Sequence, residues 1–355
     1  MDPAATPLGE KKPRFDADDL LLEIIVRVGI PTTLVRAALV CKRWLGHIAD
    51  RDFLSRFRKL HPPCLLGFFV TERPFVPARP GATCFVPMPL LQPPELATAI
   101  GRLQSYDFGT HRILRCRNGS IFTECDERYI WVYGVHRPLC AEMQIVPPPP
   151  CVQDHNKKKF SAIVSKDEGG GLSYLYMLGK STEEAEVKST TCVYALKDGA
   201  WSVHTSATCL HAVHSYPKAL LVDNKIYLPT ATCNNIVVLD LTASSFSTIR
   251  MPQGVEYRSY TTRLSPAVDA SSVYLIHVKD SQLHIWLHKG GEFVLADNIC
   301  LHETFANLDH TLVVRDVRIS QVGDDALFVF LEMRRWIFYL DVKCRTMSKV
   351  FDMRY

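Results

Sequence analysis

The chain has 355 residues, 47% hydrophobic and 22% charged, with a formal net charge of +4. That balance is ordinary for a globular protein and excludes wholesale disorder, while the small positive excess is too weak to hold nucleic acid by bulk charge. The length exceeds the usual size of one core, so two domains, or a small module beside a large β domain, are expected.

The 12 cysteines are scattered singly, with no CxxC pair. This spacing argues against zinc knuckles and against a dense disulfide framework, and predicts reduced, mostly buried thiols. "MDPAATPLGEKKPR" lacks the apolar run of a signal peptide, and no stretch reaches the roughly 18 apolar residues of a membrane span. An intracellular protein of the cytoplasm or nucleus is expected, with neither membrane nor nucleic acid as partner.

Residues 1–14, rich in Pro, Ala and Lys, read as a disordered lead-in. "DADDLLLEIIVRV" then predicts a short helix, with Asp16 or Asp18 as cap and Asp19 suited to its positive end. At 100° per residue its large apolar side chains cover an arc of roughly 240°, well beyond the 100° or so that one core requires. Gly29 ends this helix and Pro31 suits the first turn of the next. "LVRAALVCKRWLGHIA" predicts a second helix, and "FLSRFRKL", capped by Asp50 or Asp52, a third. Pro62 and Pro63 close a module of about 45 residues, near the lower limit of independent stability.

"DDLLLEII", "LVRAALVCKRW" and "DRDFLSRF" together resemble an F-box, the helical motif that docks on the Skp adaptor of a cullin-based ubiquitin ligase. Family members usually open the first helix with Leu-Pro, where this chain has Asp16 and Ala17. The resemblance assigns residues 15–61 to the F-box. It implies adaptor contacts by Leu20, Leu21, Ile24, Ile25, Pro31, Leu34 and Val35, with Val40, Cys41 and Trp44 serving both core and interface. A lone tryptophan at helical spacing is by itself more often core. The basic residues from Lys42 to Lys59 read as a solvated helix face.

Beyond the prolines, short β-branched and aromatic runs alternate with Gly, Asp, Asn and Pro. "KALLVDNKIYLPTATCNNIVVLDLTASSFSTIRMP" predicts four strands, and the same grammar recurs upstream and downstream. Aligning Phe122, Tyr176, Tyr227, Tyr274 and Phe328 on the second strand of each unit gives intervals of 54, 51, 47 and 54 residues. Four-stranded units at a period near 50 residues characterise kelch-like propeller blades. A β-sandwich is the competing architecture, and the regular recurrence favours the propeller.

The expected fold class is therefore α+β and multidomain: a three-helix F-box, a linker and candidate first blade at 62–110, and an all-β, kelch-like propeller at 111–355. Five blades are readable, six if "LLGFFV" and "TCFVPM" contribute one. "CLLGFFV" and "YGVHRPLCAEMQIVPPPP" also resemble plant F-box proteins with an F-box-associated propeller. That likeness implies a domain that recruits a protein client whose identity differs from member to member.

No arrangement of catalytic residues is recognisable. His284 and His288 in "HIWLH" fall on one predicted strand about 13 Å apart, too far to share a metal ion. His211 and His214 in "HAVH" carry no further signature. "DEGGGLS" lacks the Lys and Ser/Thr of a phosphate loop and reads as a turn. No cofactor, metal or catalytic residue is assigned, and an enzyme or a carbohydrate-binding propeller is the distant alternative. The expected role is a non-catalytic receptor subunit of a Skp/cullin/F-box ubiquitin ligase, the nearer alternative being an adaptor-binding scaffold. Loops "DHNKKKF", "GKSTEEAEVKST" and "MPQGVEYRSY" are the candidate client contacts. Lys157–Lys159 would suit an acidic client, and Tyr257 and Tyr260 are of a type enriched at interfaces.

Overall fold

The computed structural model describes residues 17–27, 31–61, 65–71, 83–89, 96–117, 119–127, 130–148, 158–168, 171–181, 189–209, 218–230, 234–267, 271–306, 308 and 314–353. The predicted lead-in at residues 1–14 lies outside them, as do Gly29 and the "HAVH" histidines. Contacts divide the chain into two units, Met1–Leu66 and Gly67–Tyr355.

The first unit holds four helices, α1 (Ala17–Val26), α2 (Pro31–Ala38), α3 (Lys42–Ile48) and α4 (Arg51–Leu60), where the sequence predicts three. The predicted second helix is broken at Cys41, whose backbone is extended and whose Sγ accepts the Trp44 N–H at 3.5 Å. This small, weakly polar side chain caps a new helix, so the apolar rhythm continues while the axis is interrupted. Pro31 opens α2 as expected. Asp50 caps α4, accepting the N–H groups of Asp52 and Phe53 at 2.9 and 3.0 Å. Asp50→Ala should cost about 1 kcal/mol, read as a lower melting temperature of the helical signal; an unchanged melt would refute the cap's contribution. Ile25, Val26, Leu34, Ile48, Phe53 and Phe57 form the core of this unit.

The second unit opens with a two-stranded ribbon, β1 (Gly67–Thr71) and β2 (Thr83–Pro87), followed by helix α5 (Ala97–Ser105). Five four-stranded sheets then follow in chain order. They comprise β3 (Arg112–Arg117), β4 (Ser120–Glu127), β5 (Ile130–Arg137) and β6 (Glu142–Val146); β7 (Lys158–Glu168), β8 (Gly171–Ser181), β9 (Ser189–Lys197) and β10 (Ala200–Cys209); and β11 (Leu220–Val222), β12 (Lys225–Pro229), β13 (Asn235–Asp240) and β14 (Ser245–Arg250). The last two are β15 (Thr262–Pro266), β16 (Val273–Lys279), β17 (Gln282–Lys289) and β18 (Glu292–Cys300), then, after helix α6 (Leu301–Ala306), β19 (Arg318–Val322), β20 (Phe328–Met333), β21 (Trp336–Asp341) and β22 (Thr346–Asp352).

Each sheet is an antiparallel meander, and the first strands of successive sheets touch, β3 with β7, β7 with β11, β11 with β15 and β15 with β19. The architecture is a five-bladed propeller with the first strand of each blade innermost. All five aromatics aligned in the sequence fall on second strands, β4, β8, β12, β16 and β20. "LLGFFV" and "TCFVPM" supply the ribbon β1–β2; no sixth blade forms among the described residues.

The cores lie between blades. Successive residues of one strand serve opposite interfaces: on β16, Leu275 packs toward the third blade and Ile276 toward the fifth. On β12, Tyr227 and Ile226 likewise part between the fourth and second blades. Second and third strands such as β12, β13, β16 and β20, buried on both faces, read as continuous apolar runs, which is why period-two alternation is faint here. Two-residue hairpin loops at Asp198–Gly199, Asp223–Asn224, Asp280–Ser281 and Gly290–Gly291 carry positive φ at both positions. Turns of this kind match the twist of the strands they join and favour Gly, Asn and Asp.

The ribbon bridges the last blade to the first. Phe68 packs on Phe330 of β20 at 4.7 Å, while Phe69 meets Phe108 edge-on at 5.3 Å, and Phe108 stands against His136 of β5. Gly67 permits this because a Cβ there would run into the Val86 carbonyl and the Phe85 ring. Phe108 is 3% exposed, and Phe108→Ala should cost ~3 kcal/mol. Urea unfolding followed by tryptophan fluorescence checks this, and a loss below about 1 kcal/mol would mean that the ribbon contributes little to closure.

The expectation of mostly buried thiols is corrected. Of the eight cysteines described as free, Cys125 alone is buried, while Cys41, Cys84, Cys116, Cys140 and Cys344 are exposed. Several occupy caps and turns, where a small side chain is needed and no core is within reach: Cys41 caps α3, Cys140 ends a 3-10 turn, and the Cys344 N–H closes an Asp341 turn.

Candidate functional site

The helical unit exposes more apolar surface than its core consumes. Acidic residues of α1 are tied down: Asp18 pairs with Arg43 and lies 3.6 Å from His47 Nε2, and Glu23 pairs with Arg56 and Arg27. Arg56 first, then Arg27, holds the Glu23 carboxyl below the usual carboxylate range. His61 donates from Nε2 to the Val26 carbonyl at 2.7 Å, satisfying an acceptor at the end of α1. These ties fix α1 against α3 and α4, and with α1 so fixed Leu20 and Ile24, four residues apart, point away from the unit's core.

The structure sorts the ten residues that the F-box resemblance singles out. Leu20, Ile24, Val35 and Val40 are between 57% and 64% exposed. Ile25 and Leu34 are buried in the unit's own core, with Leu21 and Trp44 packed half-buried against it. Cys41 is exposed and caps α3, and Pro31 opens α2. Leu39 and Leu45, 80% and 51% exposed, extend the apolar surface at the α2–α3 corner and were not singled out from sequence. Helical spacing carried a signal for Leu39, which follows exposed Val35 by four residues and stands about 140° round from core-facing Leu34. Fully burying a Val, Leu or Ile side chain is worth ~1.5–3 kcal/mol, so six such residues in so small a unit amount to a strong drive toward a partner.

On the propeller, "MPQGVEYRSY" alone among the three candidate client loops lies wholly within the described residues; "DHNKKKF", with Lys157–Lys159, and "GKSTEEAEVKST" fall largely outside them. Met251 and Val255 anchor the described loop in the interblade core, Tyr257 packs beside them, and Arg258 and Tyr260 face solvent. His284 and His288 lie on β17 as predicted, the first stacked on Trp286 and the second against Phe293. No cluster of three metal-binding side chains occurs among the described residues. Nor is any helix among them long and apolar enough to cross a membrane.

A family model described as F-box protein AT5G49610-like, beta-propeller, matches residues 112–355, so the four helices lie outside the matched span. A search of curated proteins finds no match. Similar solved structures include a functionally unknown protein from Desulfotomaculum acetoxidans DSM 771, 11% identical over 76% of this chain and 78% of that one, with a TM-score of 0.41. A protein from Lactobacillus plantarum is 12% identical over 80% and 81%, TM-score 0.40. The Malassezia sympodialis allergen Mala s 1 is 8% identical over 67% and 77%, TM-score 0.39.

Proposed function

The chain belongs to the F-box protein AT5G49610-like β-propeller family, and on that premise we propose that it is the substrate-recognition subunit of a Skp/cullin/F-box ubiquitin ligase. The helical unit docks on a Skp-type adaptor and through it on cullin, and the propeller holds a protein client. The chain performs no bond chemistry itself; it raises the effective concentration of a client lysine at the conjugating enzyme. The observation that carries this reading is the exposed apolar set on α1, α2 and α3, which a helical unit of this size would not retain without a partner. The propeller suits the second task because rigid blades present loops that change without endangering the core.

Asp16 and Ala17, standing where family members carry Leu-Pro, favour a second reading in which the chain binds an adaptor as a scaffold without assembling a ligase. Gel filtration with purified adaptor, then with adaptor and cullin together, separates the two. A ternary complex supports the receptor; an adaptor complex that excludes cullin supports the scaffold; no adaptor complex sinks both.

A further inference from the structure

One end of the propeller ring gathers cations and tyrosines. Lys218 stands just before β11, residues 257–261 run directly into β15, and Arg318 opens β19. These strands are the innermost of three successive blades with the same meander, so their starting ends share one end of the ring. The Ile319 N–H donates to the Tyr260 carbonyl at 2.7 Å and ties two of those starts together.

Arg263 is buried beneath this surface. Its guanidinium donates to the carbonyls of Ser259 and Thr262, while its Nε has no hydrogen-bond partner. Lys218 is exposed, yet the protein around it pulls its ammonium down to about 8, with Arg263 adding to the effect. Tyr257 lies near both: burial pushes its phenol up and Arg263 opposes the shift. Further out, Tyr260 is flanked by two arginines. Arg258 donates to its hydroxyl at 3.3 Å, and the Arg318 guanidinium lies 5.6 Å from its ring centroid.

Glu256, 3.4 Å from Arg258, is the one carboxylate in ion-pair contact with these cations among the described residues. Lys218, Arg263 and Arg318 have none there. Glu332 stands opposite Arg318 in the β19–β20 register and offsets part of its charge; the cations left without an ion-pair partner cost the free protein stability that a bound anion would restore. Tyrosine and arginine are also the side chains that dominate interface energetics.

We propose that this surface binds an acidic segment of a protein client. Naming the ligand a client rests on the receptor reading above; the surface itself does not. A peptide fits better than a nucleic acid because the cations are confined to three blade ends in a chain of net charge +4, whereas a polynucleotide draws its affinity from neutralising many successive phosphates.

The test uses the full chain without adaptor, so its outcome is independent of adaptor docking. Fluorescence anisotropy follows a fluorescein-labelled decapeptide of alternating Glu and Ser, its Gln counterpart, and an oligothymidylate of equal length. The Glu peptide should bind, more weakly as salt is raised. The pair Arg258→Glu and Arg318→Glu, both at exposed positions, should weaken binding at least about tenfold, and Tyr260→Ala should also weaken it. Lys289→Glu, the same charge change at the outer β17–β18 turn, should leave it within about twofold. A thermal melt confirms that each variant is folded. No binding of the Glu peptide, equal binding of the Gln peptide, or equal loss in the Lys289 variant would overturn the proposal. Preferential binding of the oligothymidylate would overturn the choice of a protein ligand.

Discussion

Replacing Leu20 and Ile24 together by Lys should reduce adaptor affinity by at least about a hundredfold while leaving the chain folded. Both side chains are more than half exposed on α1, so the free protein gives up little packing. In an adaptor complex, by contrast, two ammonium groups would be desolvated against an apolar surface at several kcal/mol. The comparison that gives this result its meaning is Leu21→Lys with Ile25→Lys, one residue further along the same helix and so about 100° round it. Ile25 is 3% exposed and Leu21 packs on the same core, so that pair should abolish binding by unfolding the unit, visible as lost helical signal. Isothermal titration with circular dichroism separates the two routes. Full binding by the Leu20/Ile24 variant would exclude α1 from the interface.

Mild acid should destabilise the propeller. Burial lowers His136 from its ordinary 6.5 to about 4, helped by His111, whose ring stands 5.1 Å away. Tyr106 places its hydroxyl 2.9 Å from His136 Nδ1. Burial likewise lowers His277 to about 4, with His284 across the strand pair, Lys279 and Arg258 adding positive charge, and Thr262 Oγ1 lies 3.0 Å from its Nδ1. Both rings are therefore held neutral in the folded state, and below about pH 6.5 the unfolded chain takes up protons that the folded chain refuses. Stability is full above that point and falls as pH drops toward 4, by as much as ~3 kcal/mol for each histidine. Glu23 adds a smaller loss at lower pH in the helical unit, because its carboxyl is held ionised by Arg56 and Arg27. Urea midpoints measured at successive pH values check this, and a midpoint unchanged from neutrality to pH 4.5 would contradict the buried-neutral assignment.

Much of the propeller was legible because its repeat is spelled in residues with few alternatives. An aromatic recurs on the second strand of every blade, and Asp-Asn, Asp-Ser and Gly-Gly mark loops whose φ values few other pairs accept. What the sequence hid were features set by distant partners. Phe68, Phe69 and Phe108 bridge the first and last blades, a closure that no local pattern encodes. Cys41 breaks a helix although the apolar rhythm runs through it. At the helical surface the surplus apolar arc was readable, yet its division between inner Ile25 and Leu34 and outer Leu20, Ile24, Leu39 and Leu45 depends on how the four helices pack. The basic surface at the blade ends was the least legible, since Lys218, Arg258, Arg263 and Arg318 are far apart in sequence or embedded in strands.

Hydrogen exchange on the chain with and without a Skp-type adaptor tests the division of labour most directly. Exchange should slow in α1 and in residues 35–45, with the five blades and the surface around Tyr260 unchanged and free for a client. Protection confined to the propeller, with the helices exchanging as in the free protein, would contradict it.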